Sequence, residues 1–186
     1  SISAVFSMIL FWNGIQNNTY GNFKIFEWIS SGNFVANWSI NIDPLSSVML
    51  VVVTFVSALV HIYSIGYMSH DPHKPRFMSY LSLFTFSMLV LVVSDNFLQL
   101  FFGWEGVGLC SYLLIGFWYK KESANNAAIK AFIVNRVGDF GLAIGIFLIF
   151  FYFGTINFQE VFDLAPQFIE KKLLFFGFET TLITLI

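Results

Sequence analysis

The sequence predicts an all-α polytopic membrane protein, a helix bundle with one short β-hairpin in an extramembrane loop. Hydrophobic residues make up 57% of the chain and charged residues only 11%, whereas soluble domains carry about 25% charged residues. The apolar residues gather in several runs whose lengths approach the roughly 20 residues that a helix needs to cross a bilayer. We therefore expect a single transmembrane domain over residues 1–186.

Six apolar segments are predicted to be membrane spans. Four are complete, at about 45–68, 77–93, 97–118 and 127–153. Two are cut short, at about 1–12 and 173–186, so we expect the chain to be a piece of a longer protein. Pro44 precedes the first complete span, a position that suits proline at a helix start. Ser94 or Asp95 is the predicted N-cap of the span at 97–118.

The long polar loop after the first segment contains the predicted hairpin. The runs FKIFEWI and NFVANWSINI alternate with the turn signals NNTYGN and SSGN, which indicate two short strands. Trp28 and Trp38 suit a position at the membrane interface, where amphipathic rings collect. Residues 155–172 are predicted to be a polar connection that is partly an amphipathic helix. Lys and Arg in the short loops 69–76 and 119–126 place those loops on the inner side.

Four charged residues fall inside predicted spans: Glu105, Lys130, Arg136 and Asp139. A charge at the centre of a spanning helix costs about 2.5–3.5 kcal/mol on insertion scales, and such residues often mark ion or proton paths. Glu105 lies about 12 Å into its helix at about 1.5 Å per residue. Gly103 and Gly106 flank it and allow another helix to pack closely. No cation shares its helix, so we expect its partner on another one. A structural hydrogen-bonding role for Glu105 stays open.

Arg136 and Asp139 are spaced i, i+3, so they lie close together on one helix face. They predict either a proton-transfer pair or a fixed ion pair that only locks helix packing. Lys130 is nine residues from Asp139, about 13 Å along the axis, so it cannot pair with it. Lys130 is either a further proton-path residue or an interface anchor whose side chain reaches the surface.

The remaining candidates are weaker. His61, late in the first complete span, has a reference pKa near neutrality and so suits a proton relay, although a packing role explains it equally well. Cys110 is a single thiol, and the sequence has no CxxC, HExxH or phosphate-binding glycine loop. We therefore expect neither a metal nor a cofactor in this chain. A net charge of −2 gives no reason to expect nucleic acid as a partner.

Four blocks of the sequence resemble one family closely: ALVHIYSIGYM, DNFLQLFFGWEGVGLCSYLLIGFWY, AAIKAF and NRVGDFG. They are similar to the subunit 5 family of NADH dehydrogenase, the antiporter-like membrane subunits of respiratory complex I. The resemblance runs from about Trp38 to Phe162. It implies an all-helical fold with two inverted five-helix repeats, of which this chain would hold part of the first. It also implies that Glu105 pairs with a lysine that would lie beyond Ile186, and that Arg136 and Asp139 assist proton transfer.

The resemblance implies a proton-translocating subunit of a multi-pass complex in the mitochondrial inner membrane, or in a bacterial plasma membrane. NADH, FMN, iron–sulfur clusters and ubiquinone would be used by other subunits. The expected partners are neighbouring antiporter-like subunits, accessory subunits and lipids. Two alternatives remain open. The family similarity also extends to subunits of multisubunit cation/proton antiporters, and the residues alone would also fit a scaffold in which all four buried charges are structural.

Overall fold

The computed structural model describes residues 2–18, 20–32, 34–169, 171–175 and 178–185. Five helices form the bulk of the chain: α1 Ile2–Asn17, α2 Pro44–Tyr67, α3 Lys74–Val92, α4 Phe97–Ile115 and α5 Glu122–Phe153. A hairpin of β1 Gly21–Ser31 and β2 Phe34–Ile42 separates α1 from α2. After α5 come a short helix α6 Phe158–Leu164, a 3₁₀ turn Ala165–Phe168, strands β3 Lys172–Phe175 and β4 Phe178–Thr181, and a final turn α7 Leu182–Leu185.

The predicted class, an all-α membrane protein with one extramembrane hairpin, is confirmed. Within the described residues, the four helices α2 to α5 are long and apolar enough to cross a membrane. α5 has 32 residues and is therefore about 48 Å long, well beyond the roughly 30 Å of a hydrocarbon core. It begins at Glu122, five residues before the start predicted from hydropathy. α1 continues to Asn17, past the predicted end at residue 12.

The helix starts follow local capping chemistry. Asp43 and Ser46 form a reciprocal capping box at the start of α2, with N···O distances of 2.6 and 2.8 Å. At α4 the cap is Asn96, whose Oδ1 accepts from the Gln99 amide at 2.8 Å. The prediction of Ser94 or Asp95 at this position is wrong. α4 begins at Phe97, and only the residue directly before it can reach the third helical amide.

The first hairpin closes one end of the bundle, which we call the outer end; the opposite end, with the turns at 68–73 and 116–121, is the inner end. The Asn41 backbone N–H donates to the Val93 carbonyl at 2.8 Å. The Gln99 side chain pairs with both backbone groups of Ser39, at 2.8 and 3.1 Å. Trp38 packs edge-on against Phe102 at 5.2 Å between centroids. These contacts fix β2 to the outer ends of α3 and α4.

The C-terminal segment differs from the predicted sixth span. Residues 172–175 and 178–181 form the antiparallel pair β3–β4 in place of a helix, and residues 176, 177 and 186 lie outside the described part. Two features of the sequence account for this. Lys171 and Lys172 place two charges at its start, and the β-branched Thr180 and Thr181 favour a strand.

The close helix packing predicted from Gly103 and Gly106 is present, and the partner helix is α3. A Cβ at Gly103 would lie 2.7 Å from the Leu91 nitrogen, and one at Gly106 would lie 2.7 Å from Ser87 Oγ. Neither glycine position has space for a side chain unless α3 moves. The glycines therefore bring α3 against one side of α4, and Glu105 faces a different neighbour.

Candidate functional site

Three of the four charged residues predicted inside the membrane, Glu105, Arg136 and Asp139, come together between α4 and α5. Arg136 Nη1 forms an ion pair with Glu105 Oε2, and the same nitrogen lies 3.5 Å from Asp139 Oδ2. The Trp104 indole nitrogen donates to Asp139 Oδ1 at 2.7 Å. We call Trp104, Glu105, Arg136 and Asp139 the Arg136 network. The i, i+3 contact of Arg136 with Asp139 was predicted from spacing, whereas the contact of Arg136 with Glu105 was not.

Helix geometry explains why neighbouring residues of α4 reach different residues of α5. Trp104 and Glu105 are about 100° apart around α4, so they point to either side of the line of contact. Arg136 and Asp139 lie almost one turn apart on α5, so they can receive one side chain each. Asp139 is 7% exposed, and the Glu105 and Arg136 side chains are 24% and 39% exposed. The Arg136 guanidinium is placed over the Phe132 ring at 4.5 Å.

The charge balance of the network determines what it can do. Two carboxylates share one guanidinium, so the network carries one net negative charge when both acids are ionised. A proton on either acid, or a second cation from another helix, would neutralise it.

Glu105 had been expected to find its cation on another helix, and in this structure that cation is Arg136 of α5. The lysine that the resemblance places beyond Ile186 is outside the chain, so that partner stays a prediction. Both the proton-transfer role and the alternative of a fixed structural pair for Arg136 and Asp139 remain compatible with this geometry.

Lys130 is not part of the network. It is the ninth residue of α5, and its side chain is exposed. It enters no ion pair within the part of the chain that the structure describes. Lys130 lies in the first third of α5, toward the inner end of the bundle. This position suits a side chain that reaches the membrane surface; a role in proton transfer stays a prediction.

His61 belongs to a separate polar contact between α2 and α3. Its Nδ1 lies 2.7 Å from the Ser57 carbonyl, and its Nε2 lies 3.2 Å from Ser82 Oγ. Ser57 Oγ in turn lies 2.7 Å from Thr85 Oγ1. The imidazole thus has partners on both nitrogens, and no hydrogen bond between described residues joins it to the Arg136 network. Its role as a proton relay stays a prediction.

The sequence interpretation missed a second buried carboxylate at the outer end. Asp95 is 6% exposed, and its Oδ2 accepts from the amides of Asn22 at 2.7 Å and Asn157 at 3.3 Å. Its Oδ1 accepts from the Asn96 amide at 2.7 Å. We call these four residues the Asp95 amide cluster. A signal existed: alternating spans bring the loops with Asn22, Asp95 and Asn157 to the same end of the bundle.

Within the described residues, no group of three or more His, Cys, Asp or Glu side chains is close enough to hold a metal ion. The fold and the site together define a polytopic helical membrane protein with a charged network between two spans.

This chain belongs to the family whose model is described as the NADH:quinone oxidoreductase/Mrp antiporter transmembrane domain, which matches residues 94–186, half of the chain. A second model, the N-terminus of chain 5 of NADH-ubiquinone oxidoreductase (complex I), matches residues 28–78.

Curated relatives support the same assignment. The chain is 56% identical to NADH-quinone oxidoreductase subunit L of Rickettsia bellii, over 98% of this chain and 28% of that protein. It is 55% identical to NADH-ubiquinone oxidoreductase chain 5 of Chondrus crispus, over 100% of this chain and 28% of that protein. The chain thus spans about 28% of the length of these relatives. It is a membrane protein of mitochondria or of a bacterial plasma membrane.

The solved structure of the Mrp complex from a Dietzia species shares the fold. The TM-score is 0.65 with 23% identity, over 85% of this chain and 17% of that chain. At this identity the likeness concerns the fold alone.

Proposed function

We propose that the protein is the antiporter-like, proton-translocating membrane subunit of NADH:ubiquinone oxidoreductase in the mitochondrial inner membrane. The observation that carries this proposal is the Arg136 network, in which one guanidinium is shared between two buried or half-buried carboxylates. The relatives named above, which bear the names of subunits of that enzyme, support the same assignment.

The proton step follows from competition for one cation. While Arg136 contacts both acids, its charge favours their ionised forms. When Arg136 moves away from Glu105, the carboxylate is left in a low-dielectric setting and takes up a proton. When a cation returns, the proton leaves toward the next site. A lysine on a following helix, expected beyond Ile186, would serve as the second cation that makes this exchange directional.

This chain would carry no redox chemistry itself. Hydride and electron transfer from NADH through FMN and iron–sulfur clusters to ubiquinone would take place in other subunits. Their energy would reach this subunit as a movement of helices that shifts Arg136 or its neighbours. The partners would be adjacent antiporter-like subunits, accessory subunits and membrane lipids.

A subunit of a multisubunit cation/proton antiporter is the second candidate, because the matched family description also includes the Mrp antiporter. The two are separated by what co-purifies with the full-length protein. Flavin and iron–sulfur proteins support the first candidate, and sodium-dependent proton flux without NADH oxidation supports the second.

Substitution of Glu105 in the full-length subunit tests the proposal. In proteoliposomes that contain the assembled complex, we expect Glu105→Gln to lower NADH-driven proton pumping about tenfold, the effect of about 1.4 kcal/mol on a barrier. Glu105→Asp, which keeps the negative charge, should retain most of the pumping. A fully assembled Glu105→Gln complex that pumps at the wild-type rate would remove Glu105 from the proton path.

A further inference from the structure

A polar cavity lies at the inner end of the bundle, on the opposite side of the membrane from the first hairpin. Its volume is 390 Å³, within the range of about 300–1,000 Å³ that small-molecule sites occupy. α3, α4 and α5 each contribute to its wall. The polar residues that line it are Arg76, Tyr80, Tyr112, Tyr119 and Asn125. None of them belongs to the Arg136 network.

Arg76 is held in place with part of its donor capacity unused. Its Nη2 donates to the Phe117 carbonyl at 3.0 Å, and its guanidinium lies over the rings of Phe117 at 4.7 Å and Tyr119 at 5.3 Å. Its Nε is buried and has no hydrogen-bond partner among the described residues. Buried donors in proteins are almost always paired, so this N–H requires an acceptor that the described part of the chain does not supply.

Two tyrosines add further donors to the same cavity. Neither Tyr80 nor Tyr112 uses its hydroxyl in a hydrogen bond within the described residues. Their rings are fixed, by an edge contact of Tyr80 with Phe117 at 6.5 Å and a tilted contact of Tyr112 with Phe132 at 5.3 Å. The cavity lining therefore includes one guanidinium and two hydroxyls, a donor set that matches a phosphate oxyanion.

The surrounding charge favours an anion. The loops 69–76 and 119–126 hold four basic side chains, Lys74, Arg76, Lys120 and Lys121, against two acidic ones, Asp71 and Glu122. Asp71 is already engaged, because it accepts from the His73 amide at 2.7 Å and from the Trp118 indole at 3.2 Å. The hydrogen bond from the His73 backbone amide lowers the pKa of Asp71. The Asp71 carboxylate therefore stays ionised and bound to His73 and Trp118. It forms no ion pair with Arg76 in the described chain.

We propose that this cavity binds the phosphate group of an anionic phospholipid from the inner leaflet. The Arg76 guanidinium and the hydroxyls of Tyr80 and Tyr112 would donate to the phosphate oxygens. The apolar side chains of Leu113 and Ile129, which line the same cavity, would contact the glycerol and the first acyl carbons. Basic pockets between membrane helices at the inner face are typical sites for anionic headgroups. A soluble phosphate would use the donors but not the apolar wall.

Photocrosslinking in the assembled complex tests this site. The probe is a phosphatidylglycerol with a diazirine near its headgroup, and the readout is label on the peptide around Leu113–Ile129 of the full-length subunit. Arg76→Gln should reduce this label about tenfold, since a hydrogen bond to a charged group contributes about 1.5–3 kcal/mol. Lys74→Gln is the matched control. It removes the same charge two residues away, and Lys74 does not line the cavity. Its label should stay within about twofold of the wild type, because the Lys74 ammonium donates to the Ile65 carbonyl at 3.0 Å and lies outside the cavity lining.

A second variant keeps the test decisive if Arg76→Gln fails to assemble. Tyr80→Phe with Tyr112→Phe retains both rings and removes only the hydroxyls, and it should lower the label about threefold or more, because each hydroxyl would donate to the charged phosphate. Unlabelled phosphatidylglycerol should compete. Equal competition by inorganic phosphate would overturn the lipid source, and equal competition by phosphatidylcholine would overturn the requirement for a net anionic headgroup. Unchanged label in the double tyrosine variant would overturn the site.

Discussion

Two carboxylates of this chain are equally buried and are satisfied in opposite ways. Asp139 is 7% exposed and Asp95 is 6% exposed. Asp139 shares a guanidinium with Glu105 and accepts from an indole. Asp95 accepts from three asparagine amides and has no cation within 4.0 Å among the described residues. One carboxylate depends on a charged partner that it shares with a second acid, and the other depends on neutral amide donors.

The difference teaches which of the two sites is suited to a change of state. Amide groups neither gain nor lose protons at ordinary pH, and the amides around Asp95 come from the hairpin, the turn before α4 and the turn before α6. The cluster therefore joins three loops into one outer surface. In the Arg136 network a single long side chain serves two acids, and a small movement of that side chain changes the charge that each acid experiences.

Removal of the shared cation should produce the largest effect. In complexes with the full-length subunit, Arg136→Gln leaves Glu105 and Asp139 without compensation, and we expect proton pumping to fall about tenfold or more. Arg136→Lys keeps the positive charge but has fewer hydrogen-bond donors, so proton pumping should fall less in this variant than in Arg136→Gln. Lys120→Gln, which removes an exposed charge at the inner end, is the matched control and should pump normally. Proteoliposome pumping per assembled complex is the measurement. Equal pumping by Arg136→Gln and the wild type would make the network purely structural.

Removal of the Asp95 charge at the outer end should lower the thermal stability of the complex and leave proton pumping unchanged. Asp95→Asn places an amide where at least one asparagine donor must lose its acceptor, which costs about 1–3 kcal/mol. The temperature at which the complex loses half its activity should fall, while pumping per intact complex stays near wild type. Asp163→Asn is the control, because Asp163 is an exposed acid of α6. A loss of pumping at unchanged thermal stability would show that Asp95 belongs to a proton path after all.

The sequence was sufficient for the features that depend on local pattern. Hydropathy located α2 to α5, turn residues located the first hairpin, and the i, i+3 spacing paired Arg136 with Asp139. Features that depend on how elements rotate against one another were not accessible. The contact of Glu105 with Arg136 depends on how α4 and α5 are rotated against each other, and residue spacing within one helix does not contain that angle.

Asp95 shows the same limit at the outer end. The residue was noticed, but only as a helix cap, because its three amide partners lie between one and 73 residues away in sequence. The prediction of a membrane span after Lys172 was wrong for another reason. Its apolar composition resembles the start of a span, whereas strand-favouring threonines and two lysines at its beginning suit the short hairpin that the structure contains.

Loss of a single amide from the Asp95 cluster should have the smallest effect, because the carboxylate keeps two other donors. Asn22→Ala removes the 2.7 Å hydrogen bond to Asp95 Oδ2 and should lower the free energy of unfolding by about 0.5–1.5 kcal/mol. Its cross-strand partner Asn41 offers a matched control, since the Asn41 side chain makes no hydrogen bond to any described residue. Asn41→Ala should therefore lower the temperature at which the assembled complex is inactivated by less than Asn22→Ala does. If Asn22→Ala instead lowers the temperature of inactivation as much as Asp95→Asn does, the three amides are not redundant. The hairpin is then attached to the bundle through Asn22 alone. If both asparagine variants behave alike, strand pairing and not the cluster holds β1 in place.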